Sequence, residues 1–449
     1  MTSDKASDMN KEMIWKNWKA HQIGKHFFNV DSRYSKLVKL GQGAYAVVCS
    51  AKDERRRGQK GDKIAIKKIM DLFSNKSDSI RILREIHILH HLAGNRHIVT
   101  IEDLMVPDPS LPFDHMYIVL GYMPADLHKI IYSSNSLTDR HVCYMVYQMF
   151  CALKFIHSAN IIHRDLKPSN ILVNRNCHIR ICDFGLARDI QTSSAQMTQY
   201  VVTRWYRAPE VICSTNYGAK IDVWAIGCIL AEMLLKKALF PGDDYVVQMK
   251  LMFEILGCPE AEDLEFIDLK NAKTWAKQYI DVNRERIKPM DFKKRFQKRD
   301  PECLELLKRT LCINPIKRIS VQEALSIPFF DDVRKNDWEK PCDQKFVFCF
   351  KEDQQLTIEQ RRDAILKTVA VFRPEILKEK KFFIKESDDS GMNITSSSKM
   401  VETPLASKED QKRELGSKSR SHSGLKDLES VDVDDVSNSL GDTHLSTKK

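Results

Sequence analysis

From Tyr34 the apolar positions come in short bursts bounded by turn-forming residues, the pattern of strands with one covered face. The bursts fall at Tyr34–Leu40, Ala46–Lys52, Lys63–Ile69 and Met116–Leu120, and the polar run RRRGQKGD predicts a hairpin-like link. One helix interrupts them over Ser79–Leu92, with Ile82, Ile86 and Leu89 on a single face. After Met123 the helical period takes over. Val142, Met145, Val146, Met149, Leu153 and Ile156 recur at steps of three and four. Val223–Leu235 is apolar nearly all round, which predicts a helix deep in a core.

A strand-rich unit followed by a helical one is therefore expected, with a linker near Gly121–Asp126 and no repeat of solenoid period. Residues 1–33 read as a polar N-terminal arm, loosely packed, with a docking helix around Met13, Ile14, Trp15 and Trp18 as the alternative. From Ser387 to Lys449 there is no aromatic residue, and Ser, Lys, Asp and Glu dominate. Such a stretch buries too little apolar surface to offset its ordering entropy and reads as a disordered tail.

Composition narrows the class. The 449 residues are 43% hydrophobic, which excludes collagenous, wholly disordered and disulfide-miniature chains. The net charge of +10 includes no dense basic block, so dedicated nucleic-acid binding is not expected. The start MTSDKASDMNKEM has no secretory apolar region, and no run of about 18 apolar residues predicts a membrane span. Twelve cysteines without a CxxC pair suggest reduced thiols rather than a disulfide framework or a zinc site.

Candidate chemistry begins at the run GQGAYAVV, where Gly41 and Gly43 allow close backbone approach to phosphate. Alone the run is better read as a simple hairpin turn. It is not a dinucleotide fingerprint, since Ala46 holds the third glycine position and a strand follows. Lys67, alternating with apolar neighbours, can meet anionic oxygens, and Glu85 on the following helix can hold it by a charge-assisted hydrogen bond. The decisive strings are HRDLKPSN from His163, DFG from Asp183 and APE from Ala208. Asp165 can accept or orient a hydroxyl proton, and Lys167 can neutralise charge on a moving phosphoryl group. Asn170 and Asp183 offer oxygen ligands suited to Mg²⁺.

In this order the strings resemble the signature set of eukaryotic protein kinases, over about Tyr34–Phe330. The resemblance implies an α+β, bilobal protein kinase fold: a small antiparallel β-rich lobe (34–122) with one key helix, and a larger, mainly helical lobe (123–330). It implies ATP and Mg²⁺. Leu40, Gly41, Gln42, Gly43, Ala44, Tyr45, Ala46, Val47 and Val48 would cover the phosphates, and Lys67 and Glu85 would form the ion pair. Asp165 would be the catalytic base, assisted by Lys167, with Asn170 and Asp183 on the metal. Leu120 (as gatekeeper) to Met123 would form the adenine hinge, and Asp126 would contact the ribose. Asp222 would anchor the catalytic loop, and Glu210 with Arg318 would be a structural ion pair. These positions are expected to meet at one magnesium-bound triphosphate in a crevice between the lobes.

The triplet Thr198-Gln199-Tyr200, followed by VVTRWYRAPE, resembles the dual-phosphorylation lip of mitogen-activated protein kinases, of the extracellular-signal-regulated type. A helical insert at about 240–297 and an extension over 331–379, with a helix at Thr357–Phe372 returning to the small lobe, fit the same subfamily. The resemblance places Arg84, Arg164 and Arg188 around phosphorylated Thr198, and Arg204 and Arg207 around phosphorylated Tyr200. Each phosphate adds about −1.5 to −2 charges and favours bidentate arginine. The implied activity is serine/threonine phosphorylation ahead of proline, switched on through the lip by a dual-specificity kinase or by self-phosphorylation. Its partners would be Ser/Thr-Pro substrates and docking-motif proteins. The implied state is a monomer in cytoplasm and nucleus.

Three departures stand out. Ala46 replaces the third loop glycine, and Gln199 is an unusual middle lip residue. The acidic docking patch expected after the large lobe is thin, with Asp331, Asp332, Asp337 and Glu339 mixed among Arg334, Lys335 and Lys340. Thr403-Pro404, in the 380–449 tail, is the only Ser/Thr-Pro dipeptide and a candidate phosphosite. Cys182 reads as a small core filler rather than a reactive thiol. Two rivals remain: a catalytically silent nucleotide-binding scaffold and a cyclin-dependent relative.

Overall fold

Side-chain alternation across a pleat organises the first part of the chain. The protein is described by a computed structural model covering residues 18–43, 45–59, 61–107, 113–134, 136–190, 203–350 and 354–378. Its contacts divide these residues into two units. The first comprises 18–79, 102–120 and 354–378, and the second comprises 80–101 and 121–350.

In the first unit, β3 (Tyr34–Gln42), β4 (Ala46–Asp53) and β5 (Lys63–Ile69) pair antiparallel, and the five-stranded sheet runs β3-β4-β5-β7-β6, with β6 at Ile101–Met105 and β7 at Met116–Gly121. Val47, Cys49 and Ala51 of β4 and Ile64 and Ile66 of β5 are buried together with Tyr117 and Val119. The register Val48↔Lys67 leaves those two residues on the opposite face.

Over residues 18–31 the loosely packed arm expected from the sequence is corrected. These residues form a hairpin, β1 (Trp18–Ile23) and β2 (His26–Asp31). Gly24, at φ +59°, supplies the left-handed turn conformation. Phe28 and Val30 are fully buried in the sheet core. The Phe28 ring centre lies 5.9 Å from that of Tyr117, whose hydroxyl accepts from the Asn29 amide at 3.0 Å. Residues 1–17 lie outside the described residues.

A C-terminal helix completes this unit. It runs Ile358–Phe372 and is capped reciprocally by Thr357 and Gln360. Arg361, almost fully buried, donates to the Ser79 hydroxyl at 3.0 Å, and the Arg362 guanidinium lies 5.0 Å above the Phe73 ring. Just past the helix end, Arg373 pairs with Asp103 at 2.6 Å and Asp31 at 3.1 Å.

The second unit is mainly helical. The division between units falls inside α1 (Lys76–His91), whose larger part belongs here. Next come β8 (Ala125–Asp126), α2 (Leu127–Ile131) and the long α3 (Asp139–Ser158). Thr138 and His141 form a capping box at the start of α3, which packs on α5 (Lys220–Leu235). The mostly apolar α5 is buried as expected, from Ile221 to Leu234, with Asp222 and Glu232 among the buried residues. Short ribbons lie between these helices: β10 (Ile171–Val173) pairs with β8 and β11 (Ile179–Ile181), and β9 (Ile161–Ile162) with β12 (Arg188–Asp189). Helix α4 (Pro209–Cys213) precedes α5, and α6 (Tyr245–Leu256), α7 (Lys270–Asn283) and α8 (Phe292–Arg295) fill the stretch read as a helical insert. Helix α9 (Pro301–Thr310) approaches α5 at Gly227, where an added Cβ would lie 2.6 Å from the Thr310 hydroxyl oxygen.

Candidate active site

The loop His163–Asn170, between β9 and β10, is held from below by one buried carboxylate. Asp222 on α5 accepts the backbone amides of His163 and Arg164, each at 2.9 Å, and the Nε2–H of His157, also at 2.9 Å. Burial alone would raise its pKa. The His157 hydrogen bond and charge, with the His163 amide, outweigh burial and hold the carboxyl below its ordinary value. The imidazole of His163 bridges the loop to the DFG segment: Nε2–H donates to the Cys182 carbonyl at 3.1 Å, and the ring centre lies 4.8 Å from that of Phe184. Its other nitrogen accepts the Asp165 amide at 3.3 Å. Arg164 (φ +68°) and Asp183 (φ +66°) both hold left-handed conformations unfavourable for side chains with a Cβ. Such strain is kept where the surroundings over-determine it, commonly at functional sites.

Above this anchor the polar groups converge. The Lys167 ammonium donates to Asp165 Oδ2 at 2.7 Å, and Asn170 Nδ2 donates to the Asp165 carbonyl at 2.9 Å and to Oδ2 at 3.1 Å. Asn170 thus spends its amide nitrogen on Asp165. Burial, then the charge of Asp183, raises the Asp165 pKa, while Lys167 opposes the rise. Two carboxylates close enough to repel, beside an amide oxygen, form a donor set that fits a hard dication. Cys182 donates its thiol to the Asn170 carbonyl at 3.4 Å, the reading of a structural thiol.

The remaining predicted residues are distributed between the units. Leu40, Gly41 and Gln42 end β3, pairing Gly41↔Val48 and Gln42↔Val47, and Gly43 N donates to the Ala46 carbonyl at 2.8 Å. Tyr45 is exposed at this turn, and Ala44 lies outside the described residues. Lys67, half-buried on β5, and Leu120, half-buried near the end of β7, also belong to the first unit. Glu85, buried on α1, belongs to the second with Met123 and Asp126. The Asp126 carboxylate caps α2 through the Lys129 amide at 2.9 Å.

Among the arginines, buried Arg84 donates to the carbonyls of Gly185 and Phe350. Arg188 donates to its neighbour's carbonyl, Ala187, and the Arg164 guanidinium lies 5.4 Å from the Tyr217 ring. Arg204 and Arg207 close on Tyr245, with guanidinium carbons 5.1 and 5.8 Å from its ring centre, and Arg207 donates to its hydroxyl at 2.6 Å. Sequence reasoning missed Tyr245. Its only local sign is a position at the start of an apolar helix. Thr198, Tyr200 and Thr403 lie outside the described residues. Beside Asp165 a pocket is lined by Thr203, Tyr206, Arg207, Ala208 and Val211.

Comparison with known proteins agrees with this arrangement. A protein kinase domain model matches residues 34–330. The extracellular signal-regulated kinase 1 of Dictyostelium discoideum is 44% identical over 350 residues, covering 78% of this chain and 64% of that protein. A mitogen-activated protein kinase homolog, NTF6, of Nicotiana tabacum is 42% identical, covering 79% of this chain and 92% of its own length. Mitogen-activated protein kinase 5 of Arabidopsis thaliana is also 42% identical, over 78% and 90%. The chain belongs to the protein kinase family, in its mitogen-activated branch. It is a serine/threonine protein kinase of the kind that works in signalling cascades, which displaces the silent-scaffold and cyclin-dependent readings. No described helix is long and apolar enough to cross a membrane.

Proposed function

We propose that this kinase transfers the γ-phosphate of magnesium-bound ATP to Ser or Thr hydroxyls that precede proline. The observation that carries this reading is the hydrogen-bonded group Asp165–Lys167–Asn170 with Asp183 acting electrostatically on Asp165. Asp165 orients the acceptor hydroxyl and takes up its proton. Lys167, already on Asp165 Oδ2, stabilises charge gathering on the transferred group. Asn170 and Asp183 would hold Mg²⁺, which supplies charge neutralisation on the phosphates when bound. Lys67, Glu85 and residues 40–48 are the positions that the family pattern assigns to the phosphates. Leu120, Met123 and Asp126 serve the nucleoside. The Thr203–Val211 pocket beside Asp165 is the place for the residue after the acceptor.

Activity is switched by phosphorylation of Thr198 and Tyr200. Phosphothreonine would be met by Arg84, Arg164 and Arg188, and phosphotyrosine by Arg204 and Arg207, which in the present structure enclose Tyr245 instead. The activator is an upstream dual-specificity kinase or the enzyme itself. The partners are proteins with Ser/Thr-Pro sites and docking motifs, met by a monomer in cytoplasm and nucleus. Turnover of a Ser-Pro peptide by wild type, Thr198→Ala and Tyr200→Phe, with phosphosites mapped before and after ATP addition, tests the switch. The expected result is a loss of turnover of about 10²-fold or more in each variant, and unchanged turnover in both refutes it.

A further inference from the structure

A second arrangement, unrelated to phosphoryl transfer, surrounds Trp338 in the second unit. The indole, only 5% exposed, has the Arg96 guanidinium 4.9 Å and the Lys335 ammonium 4.6 Å from its ring centre. His97 and His178 close further sides at 5.0 and 6.1 Å. The field here is positive: burial, then the charges of Arg96, His178 and Arg180, push the His97 pKa down to about 3. The carboxylates beside the box are largely spoken for. Glu339 accepts from Arg334 at 3.2 Å and from the Tyr147 hydroxyl at 3.0 Å, and Asp331 lies 3.5 Å from Arg334. Asp332 and Asp337 are exposed acids of the same stretch. Arg96 is exposed and Lys335 half-exposed, so both cations can be reached from solvent.

Cations stacked on an aromatic floor recognise a segment that carries carboxylates and a few apolar side chains. That is the reverse of the acidic patch expected after the large lobe, which would take basic peptides. This chain carries a segment of the required chemistry. Leu428–Asp435 reads LESVDVDD, with carboxylates at Glu429, Asp432, Asp434 and Asp435 and apolar Leu428, Val431 and Val433 between them. No Lys or Arg occurs from 427 to 447. Between Lys378 and Leu428 lie 49 residues of the same chain.

We propose that Leu428–Asp435 docks in cis on the Arg96–Trp338–Lys335 surface, so that the kinase covers this face with its own acidic segment. The proposal goes beyond the catalytic reading and does not depend on it.

The test is zero-length carbodiimide coupling of the full-length protein, read by peptide mass spectrometry on a mixture of isotopically light and heavy copies. The expected result is coupling of Lys335 to Asp432, Asp434 or Asp435 within single molecules. The yield should fall several-fold in Arg96→Glu, in the tail variant Val431→Ser/Val433→Ser, which keeps the three reacting carboxylates, and at about 0.5 M salt, where exposed charges are screened. The tail variant leaves the described fold untouched, so a loss there cannot come from misfolding. Coupling of the tail to lysines elsewhere, coupling only between light and heavy copies, or a yield indifferent to both variants would each overturn the proposal.

Discussion

Asp222 accepts the backbone amide of Arg164 at 2.9 Å and so fixes a residue with φ of +68° immediately before Asp165. The position of the proposed base is thereby set by a carboxylate on another element, which also takes the His163 amide and the His157 ring. Asp222→Ala should lower kcat by about 10²-fold through misplacement of Asp165, with ATP affinity measured by calorimetry nearly unchanged. Because the Asp222 pKa lies below its unfolded value, its stabilisation is complete above that unfolded value and lost as pH falls through the folded one. Asp222→Asn should therefore weaken the acid dependence of stability, measured as denaturant midpoints between neutral and acid pH.

Asp165 is raised and Lys167 opposes the rise. Since a protonated Asp165 cannot accept the substrate proton, kcat/KM should fall on the acid side with a midpoint above the ordinary carboxylate range. Lys167→Met removes the opposing charge and hydrogen bond, so the midpoint should move up while the maximal rate drops. A pH profile with its acid limb unmoved by the substitution would exclude Asp165 as the titrating group.

Arg318 and Glu210 form a buried bidentate pair, with Nη1 and Nη2 at 2.5 and 2.9 Å from the two carboxylate oxygens and exposures of 0% and 2%. The guanidinium also lies 5.0 Å from the Trp224 ring. Arg318→Met leaves the Glu210 charge buried without its cation, and should cost about 3–5 kcal/mol of unfolding free energy. Replacing both partners with apolar residues should recover part of that loss.

Arg373 holds the C-terminal helix region to Asp103 and Asp31 in a cluster that also contains Tyr34, whose hydroxyl donates to Asp103 at 2.9 Å. Arg373→Ala should speed amide exchange in Ile358–Phe372 and lower the melting temperature by a few degrees. Unaltered exchange across that helix would show that its apolar face alone secures it.

The elements most clearly written in the sequence were those with strong periodicity. The α3 stripe and the mostly apolar α5 appear where expected, and strands β3, β4, β5 and β7 begin at the residues predicted. The β1–β2 hairpin was missed because the alternation at Phe28, Asn29 and Val30 is short and follows a stretch rich in Lys and His with few apolar residues. Only Gly24 marks its turn. The groups around Asp165 were legible because they are close in sequence. His157, Tyr245 and the Trp338 box were not, because each acts through partners tens of residues away, a relation that no local spacing encodes.

The most direct measurement is single-turnover transfer of the γ-phosphate to a Ser-Pro peptide by lip-phosphorylated enzyme, comparing wild type, Asp165→Asn and Asp165→Ala, with nucleotide affinity determined in parallel. The account predicts that both variants bind Mg-ATP as wild type does and lose about 10³-fold or more of the transfer rate. Transfer at near wild-type rate by either variant would contradict it.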